Sequence, residues 1–554
     1  MKQTQTRHLW IASRRVALIF AASAALIAIP SRSLPADDGA LHDVIDREVS
    51  AAWEREKITP APPAGDAEFL RRVSLDLVGV IPTYDETAAF LADTSGDKRQ
   101  KLIDRLLDDP RYAQHQADQW DLILFGRNPP GYNTNRRDGI QRWLREQFAA
   151  NRPYDEWVRD LLKAEGNSAE QGPPLYYAQY RNQPEDLNEV VTQTFLGVQL
   201  QCARCHDHPF EEWTQLDFYG MAAFFARLQV VDLGEKDKLP AMAIGEKSTG
   251  DVLFTGPAKN QQPGKKGDPV KAKFLLGEEL AEPPLPEGFK EPERKGKDPP
   301  VPPVFSRKDQ LAEWITKADN PYFARAIANR IWAQYLGRGI VHPIDNMSPS
   351  NEPSHPALLE AITKWLVEHK FDLKAYTREL VNSRTYQLSS ASEVGEPLPL
   401  WFQHARTRPL SAEELVESWR VATGYAVVEA AKEEKKREGR FRPLDGYMLR
   451  FFGQPNNGTG DFQGGVAEHL YMNNGPLGSL IVSGPGSLLE TLMKNDTPLE
   501  SRIDRLFLQM LSRPPSTDER TKLTELLTDE KQPEERWRDA IWALMTCSEF
   551  RFNH

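Results

Sequence analysis

Cysteine is scarce in this chain, because its 554 residues contain only three. So few cysteines exclude a fold that is held together by a framework of disulfide bonds. Two of the three, Cys202 and Cys205, nevertheless lie in the short stretch CARCHDH together with His206 and His208. This stretch therefore needs a local explanation.

The chain also lacks an excess of positive charge. It has 69 Lys and Arg against 80 Asp and Glu, which gives a formal net charge of −11, and the two signs are interspersed without a basic stripe. We therefore predict no nucleic-acid partner. The sequence shows no paired acids, nucleophile elbow or phosphate loop that would indicate a hydrolytic mechanism, and it leaves open whether the chain is an enzyme.

Long hydrophobic runs are missing except near the N-terminus, where an apolar segment, Val16–Ile29, follows a basic one. This segment is shorter than the roughly 20 residues of a membrane span and is typical of a signal peptide. Small residues favour cleavage after Ala36 or Ser33, and an uncleaved N-terminal anchor is the alternative. We predict a signal peptide at 1–36, export to the periplasm, cell surface or extracellular space, and a mature chain without a membrane span.

Helical patterns fill most of the mature chain. In DNPYFARAIANRIWAQYLG, Asn320 is a capping residue and apolar residues recur at helical spacing until Gly337. Between 231 and 305 the pattern gives way to a stretch rich in proline, glycine and lysine. The sequence predicts a mainly α fold of two helical domains, 37–230 and 306–554, joined by a partly irregular or short-stranded insertion that is a linker or a lid over a site.

The cysteine stretch has the spacing of a haem-attachment motif. A helix with Asp186 and Glu189 at capping-box spacing is predicted to lead into it. On a helical turn, Cys202 and Cys205 can reach one planar partner while His206 points its imidazole at the centre. Cys-x-x-Cys-His attaches c-type haem through two thioether bonds, with the histidine as proximal iron ligand. Export agrees with this prediction, because haem is attached to such motifs outside the cytoplasm.

Two other interpretations of the motif remain open. A disulfide or a pair of thiols at Cys202 and Cys205 has the same spacing, although no βαβ pattern of a thioredoxin-like enzyme surrounds it. The two cysteines, His206 and His208 also offer soft ligands to zinc or copper. The two histidines are so close in sequence that binding of one ion by all four side chains is geometrically awkward.

A haem that transfers electrons needs a sixth iron ligand. The candidates are His208, Met221, Met242, His469 and Met472. His208 and Met221 follow the proximal histidine too closely to cross to the opposite face of the ring. The ligand is then expected from the insertion or from the C-terminal half. For each candidate the competing interpretation is structural, as a core methionine or a hydrogen-bonded histidine.

The chain resembles a known pair of domains. The planctomycete cytochrome-type domain, PSCyt, is similar to the stretches RRVSLDLVGVIPT and FLGVQLQCARCHDHPFEEWTQLDFYG. Its usual C-terminal companion, the PSD type, is similar to NPYFARAIANRIWAQYLGRGIVHPIDNMSPSNEPSHPALLEAI and LFLQMLSRPPSTDE. The resemblance covers most of residues 40–550. It implies an exported, mainly helical protein of a group whose biochemical function has not been established.

The resemblance also implies a cofactor and a setting. Carried over residue by residue, it makes Cys202, Cys205 and His206 the attachment residues for covalent haem c. His469 keeps a histidine of the family, but its neighbours in VAEHLYMNN depart from the family pattern. We expect an electron-transfer or redox role with a redox partner protein. The alternative is a zinc- or copper-binding protein without haem that handles extracellular polysaccharide beside sulfatase-like proteins.

Overall fold

The fold, taken from a computed structural model, is mainly helical, as predicted. The structure describes residues 39–126, 137–181, 183–236, 239–254, 267–293, 296, 300–391, 398–432, 455–456, 459–460, 466–494, 496–528 and 532–554. The predicted signal peptide, 1–36, lies outside the described residues. From Gly39 to His554 the chain forms one compact unit.

Helices build the half of the chain that precedes the insertion. The α-helices are Leu41–Glu56, Asp66–Val78, Tyr84–Ala92, Lys98–Leu107, Pro110–Phe125, Asp138–Ala149, Tyr154–Lys163, Ser168–Gln171, Leu175–Ala178, Pro184–Val191 and Gln215–Ala222. A π-helix, Thr192–Leu196, and two 3-10 helices, Gln201–Arg204 and Ala223–Phe225, complete the set. Several of these helices begin at a capping residue. At the start of Tyr84–Ala92, for example, the N–H of Glu86 donates to Thr83 Oγ1 at 3.3 Å and the N–H of Thr83 donates to Glu86 Oε2 at 2.8 Å, which forms a capping box.

Helices also build the half that follows the insertion. The α-helices are Arg307–Ile315, Phe323–Leu336, Pro356–Glu368, Leu373–Asn382, Ala412–Thr423, Tyr425–Lys432, Val466–Asn474, Leu488–Met493, Leu499–Leu511, Thr517–Leu527, Pro533–Thr546 and Ser548–Arg551. Two 3-10 helices are Pro399–Trp401 and Pro476–Leu480. Asn320 Oδ1 accepts hydrogen bonds from the N–H groups of Tyr322 and Phe323, at 3.0 and 3.1 Å. Gly337, with φ 75°, ends that helix as predicted.

Short antiparallel strands lie in the described part of the insertion and at a few other places in the chain. The strands are β1 Gly166–Asn167, β2 Leu228–Lys236, β3 Leu239–Glu246, β4 Val252–Leu253, β5 Pro269–Val270, β6 Arg408–Pro409, β7 Pro455–Asn456, β8 Thr459–Gly460 and β9 Phe552–Asn553. The sheet β1-β3-β2 pairs Val230 with Ile244, and the other pairs are β4-β5, β6-β9 and β7-β8. Met242 and Ile244 are buried, so β3 is packed onto the helices.

Buried hydrophobic side chains form two clusters. The larger cluster runs from Leu41 to Phe402 and includes helices on both sides of the insertion. The smaller cluster runs from Leu410 to Phe550 and also takes in Leu75 and Ile81 of the N-terminal half. The two helical halves therefore share both cores. Among the described helices, none combines the length and the apolar character that crossing a membrane requires.

Candidate functional site

The chain reaches the cysteine motif through a helix that changes its winding. The α-helix Pro184–Val191 continues into the π-helix Thr192–Leu196, which ends at Gly197 with φ 66°. A positive φ of this size favours glycine, because it has no Cβ. Single π-helical turns are frequent near functional sites. The motif then starts on the 3-10 helix Gln201–Arg204.

The predicted capping box in this helix is wrong. The helix begins with Pro184 and has no side-chain cap. Asp186 and Glu189 instead bind the guanidinium of Arg204, with Nη1 to oxygen distances of 2.6 and 3.2 Å. Partial burial raises the pKa of the Glu189 carboxyl, and Arg204 offsets part of that rise. The two acids therefore hold the middle of the motif rather than the start of the helix.

The two residues between the cysteines anchor the turn to the rest of the protein, and the side chains of Cys202, Cys205 and His206 are exposed to solvent. Ala203 is buried, and the Arg204 carbonyl accepts hydrogen bonds from Gln215 Nε2 at 3.1 Å and from the Tyr219 hydroxyl at 3.4 Å. Cys202 and Cys205 are exposed and are free thiols. His206 is exposed as well. The turn thus presents two sulfur atoms and one imidazole to solvent.

The two histidines of the stretch differ in their hydrogen bonds. The Nδ1–H of His206 donates to the carbonyl of Asp207 at 2.8 Å, which leaves Nε2 with a lone pair for a metal. His208 Nδ1 accepts from the N–H of Phe210 at 3.3 Å, so the proton of the neutral ring is on Nε2. His206 therefore offers the lone pair of Nε2 to a metal, whereas the lone pair of His208 Nδ1 already accepts a hydrogen bond.

A cleft of about 260 Å³ opens beside Cys202. It is lined by Val198, Gln199, Cys202, His208, Phe210, Glu211, Trp213, Asn346, Met347, Ser348 and Ser350. The last four residues belong to the half of the chain that follows the insertion. The hydroxyls of Ser348 and Ser350 both donate to the Glu211 carboxylate, the latter at 2.6 Å. The cleft is therefore built by both halves of the protein.

Of the predicted sixth ligands, His208 lines this cleft, whereas the three methionines do not. Met221 and Met242 are fully buried, and the sulfur of Met242 contacts Arg181 Nη2 at 3.2 Å. Met472 is buried in the smaller core cluster. His469 belongs to the helix Val466–Asn474, but its side chain lies outside the described residues.

Sequence reasoning missed Met347, which does line the cleft. A signal was present, because this methionine lies in the polar stretch DNMSPSNEP rather than on the apolar face of a helix. Met347 is also a buried member of the larger core cluster, so it both packs in the core and lines the cleft.

The comparisons with known proteins fit this division into two halves. The model of the PSCyt2 family, described as a protein of unknown function (DUF1549), matches residues 44–230. The model of the PSD1 family, described as a protein of unknown function (DUF1553), matches residues 307–444. The curated proteins and the solved structures contain no match to this chain. The cysteine motif lies in the first matched range, and Met347 lies in the second. The chain therefore contains a PSCyt-type domain followed by its PSD-type companion domain.

Proposed function

We propose that this chain is an exported c-type haem protein with an electron-transfer or redox role. In this proposal, Cys202 and Cys205 attach the haem, and His206 is the proximal iron ligand. The observation that carries the proposal is the presence, on one turn, of two exposed free thiols and an imidazole whose Nε2 is left to coordinate.

The residues of the motif fit the group in chemistry and in access. Thioether attachment needs two reduced thiols that the edge of a porphyrin can approach, and both cysteines meet that need. Cys202 and Cys205 would hold the haem by addition of each S–H across one vinyl double bond, which would form an S–C bond and place the hydrogen on the neighbouring carbon. No oxidant or reductant is consumed. Proximal ligation through Nε2 needs the proton of the ring on Nδ1, and the hydrogen bond to the Asp207 carbonyl favours that position in His206.

The position of the motif suits exchange of electrons with another protein. Bound haem would supply an iron that accepts and releases one electron. The side chain of Phe210 is 81% exposed and that of Leu216 is 55% exposed, so apolar surface lies close to the thiols. Such surface beside an exposed motif suits a redox partner protein.

A bare metal ion is the alternative occupant of the motif. In the part of the chain that the structure describes, no group of three or more His, Cys, Asp and Glu side chains is placed to hold an ion. The hydrogen bond from Phe210 also takes up Nδ1 of His208, one of the four proposed ligands.

The experiment is expression of the full chain with a cytochrome-c maturation system, followed by intact mass, haem spectra and metal analysis. We expect one covalent haem per chain, weakened attachment in Cys202→Ser or Cys205→Ser, and none that is covalent in the double variant. Cys547→Ser is the matched control, because Cys547 lies far along the chain, where its sulfur accepts from the N–H of Phe550 at 3.4 Å. Stoichiometric zinc or copper without haem would support the metal-binding alternative instead.

A further inference from the structure

Met347 lies against the segment that leads into the cysteine motif. Its backbone N–H donates to the carbonyl of Gly197 at 2.7 Å, and its side chain occupies space that a Cβ on Gly197 would enter, at 2.8 Å from Met347 Cγ. Met347 is 8% exposed and lines the cleft beside Cys202. A methionine of the PSD-type half and an attachment cysteine of the PSCyt-type half thus line the same cleft.

Hydrogen bonds on either side of Met347 fix this position. Asp345, which is 2% exposed, accepts from Gln199 Nε2 at 3.0 Å and also from the amide of Gln193. On the other side, Ser348 and Ser350 donate to Glu211. The loop 345–350 is therefore tied to residues immediately before and after the motif.

Met347 also belongs to a core cluster, the larger one, but the other candidate methionines do not line the cleft. Met221 and Met242 have no exposed surface, and Met472 packs in the smaller core cluster. His208 already uses Nδ1 as an acceptor, and its Nε2 carries the proton. Of the methionines in the described residues, Met347 is the one that lines the cleft with Cys202.

We propose that the sulfur of Met347 would be the sixth ligand of the haem iron, with His206 as the proximal one. This inference rests on the proposed haem attachment and names the residue that completes it. Histidine–methionine ligation raises the reduction potential of a haem and is typical of electron-transfer cytochromes. The PSD-type half would then set the redox properties of a cofactor that the PSCyt-type half attaches.

The test compares the full-length matured protein with Met347→Leu, a change of similar volume that removes the sulfur. Met221→Leu is the matched control, because it removes a buried sulfur outside the cleft. In the parent protein and in Met221→Leu, we expect a low-spin ferric haem with the absorption band of an iron–methionine bond. In Met347→Leu we expect loss of that band, a high-spin fraction, binding of carbon monoxide by the reduced form and a lower reduction potential.

The outcomes separate the two proposals. Met347→Leu that carries one covalent haem but keeps the parent spectrum and potential overturns the ligand assignment and leaves haem attachment standing. Loss of the band in Met221→Leu overturns it equally. A parent protein that matures without haem overturns the proposed function, and the ligand assignment with it.

Discussion

Gly197 closes the helix that leads to the cysteine motif, and its replacement by alanine probes how the cleft is built. The residue has φ 66°, in the left-handed region. An added Cβ would lie 2.8 Å from Met347 Cγ and 3.4 Å from the Cβ of Ala326. Gly197→Ala thus strains the backbone and pushes the Met347 side chain out of its place.

The backbone strain and the displacement of Met347 each have a separate cost in the free energy of unfolding. A left-handed conformation costs an L-residue about 1–2 kcal/mol, and overpacking costs about 1–3 kcal/mol more. We therefore expect Gly197→Ala to lower the free energy of unfolding by about 2–5 kcal/mol, as the sum of those two ranges. Gly288 is the control, because its φ is 72° and nothing lies within 4 Å of its Cβ position. Gly288→Ala should therefore lower the free energy of unfolding only by the cost of the left-handed backbone conformation.

The assay is urea unfolding of the two single variants, of Met347→Ala and of the double variant Gly197→Ala/Met347→Ala. Truncating Met347 removes the atom that the new Cβ meets. The double variant should then be more stable than the sum of the single effects implies, by about 1–3 kcal/mol. Equal losses for Gly197→Ala and Gly288→Ala, with additive effects in the double variant, would refute the contact.

Two further predictions concern the motif and the response to acid. Arg204→Ala should lower the free energy of unfolding by at most about 1 kcal/mol, because the side chain is partly exposed. It should nevertheless reduce the yield of covalent haem relative to the exposed control Arg142→Ala, since Asp186 and Glu189 lose their partner. An unchanged yield would contradict a role of Arg204 in holding the motif. Burial, with a smaller contribution from a nearby arginine, lowers the pKa of His355 from 6.5 to about 4. The unfolded chain therefore binds more protons between those values, and stability should fall by up to roughly 3 kcal/mol as the pH drops through them. His355→Phe should reduce the slope of this part of the stability profile but not remove it, because burial also lowers the pKa values of His115 and His554. A slope equal to that of the parent protein would refute the assignment.

Local pattern was enough to predict much of the helical fold. The helix Phe323–Leu336 follows from Asn320 before it, apolar spacing within it and Gly337 after it, all of which are short-range signals. The CxxCH motif is also recognised from sequence alone, because the spacing of Cys202, Cys205 and His206 defines it without any knowledge of their exposure.

Long-range partners could not be read in the same way. Asp186 and Glu189 have the spacing of a capping box, but Pro184 already starts the helix and Arg204 attracts both carboxylates across the turn. Met347 was missed because its place beside Cys202 depends on packing between residues about 145 positions apart in the printed sequence. Sequence spacing can predict ligands that lie close together in the chain, whereas ligands that are distant in sequence can be identified only from the fold.

The most direct test of covalent haem uses the arginine inside the motif. Trypsin cleaves after Arg181, Arg204 and Arg227, so it places Cys202 and Cys205 on two different peptides, 182–204 and 205–227. If haem is attached through both cysteines, mass spectrometry of the digested, matured protein should find the two peptides joined through one haem after full reduction. Peptides that separate on reduction would identify a disulfide, and peptides that are separate and unmodified from the start would contradict haem attachment.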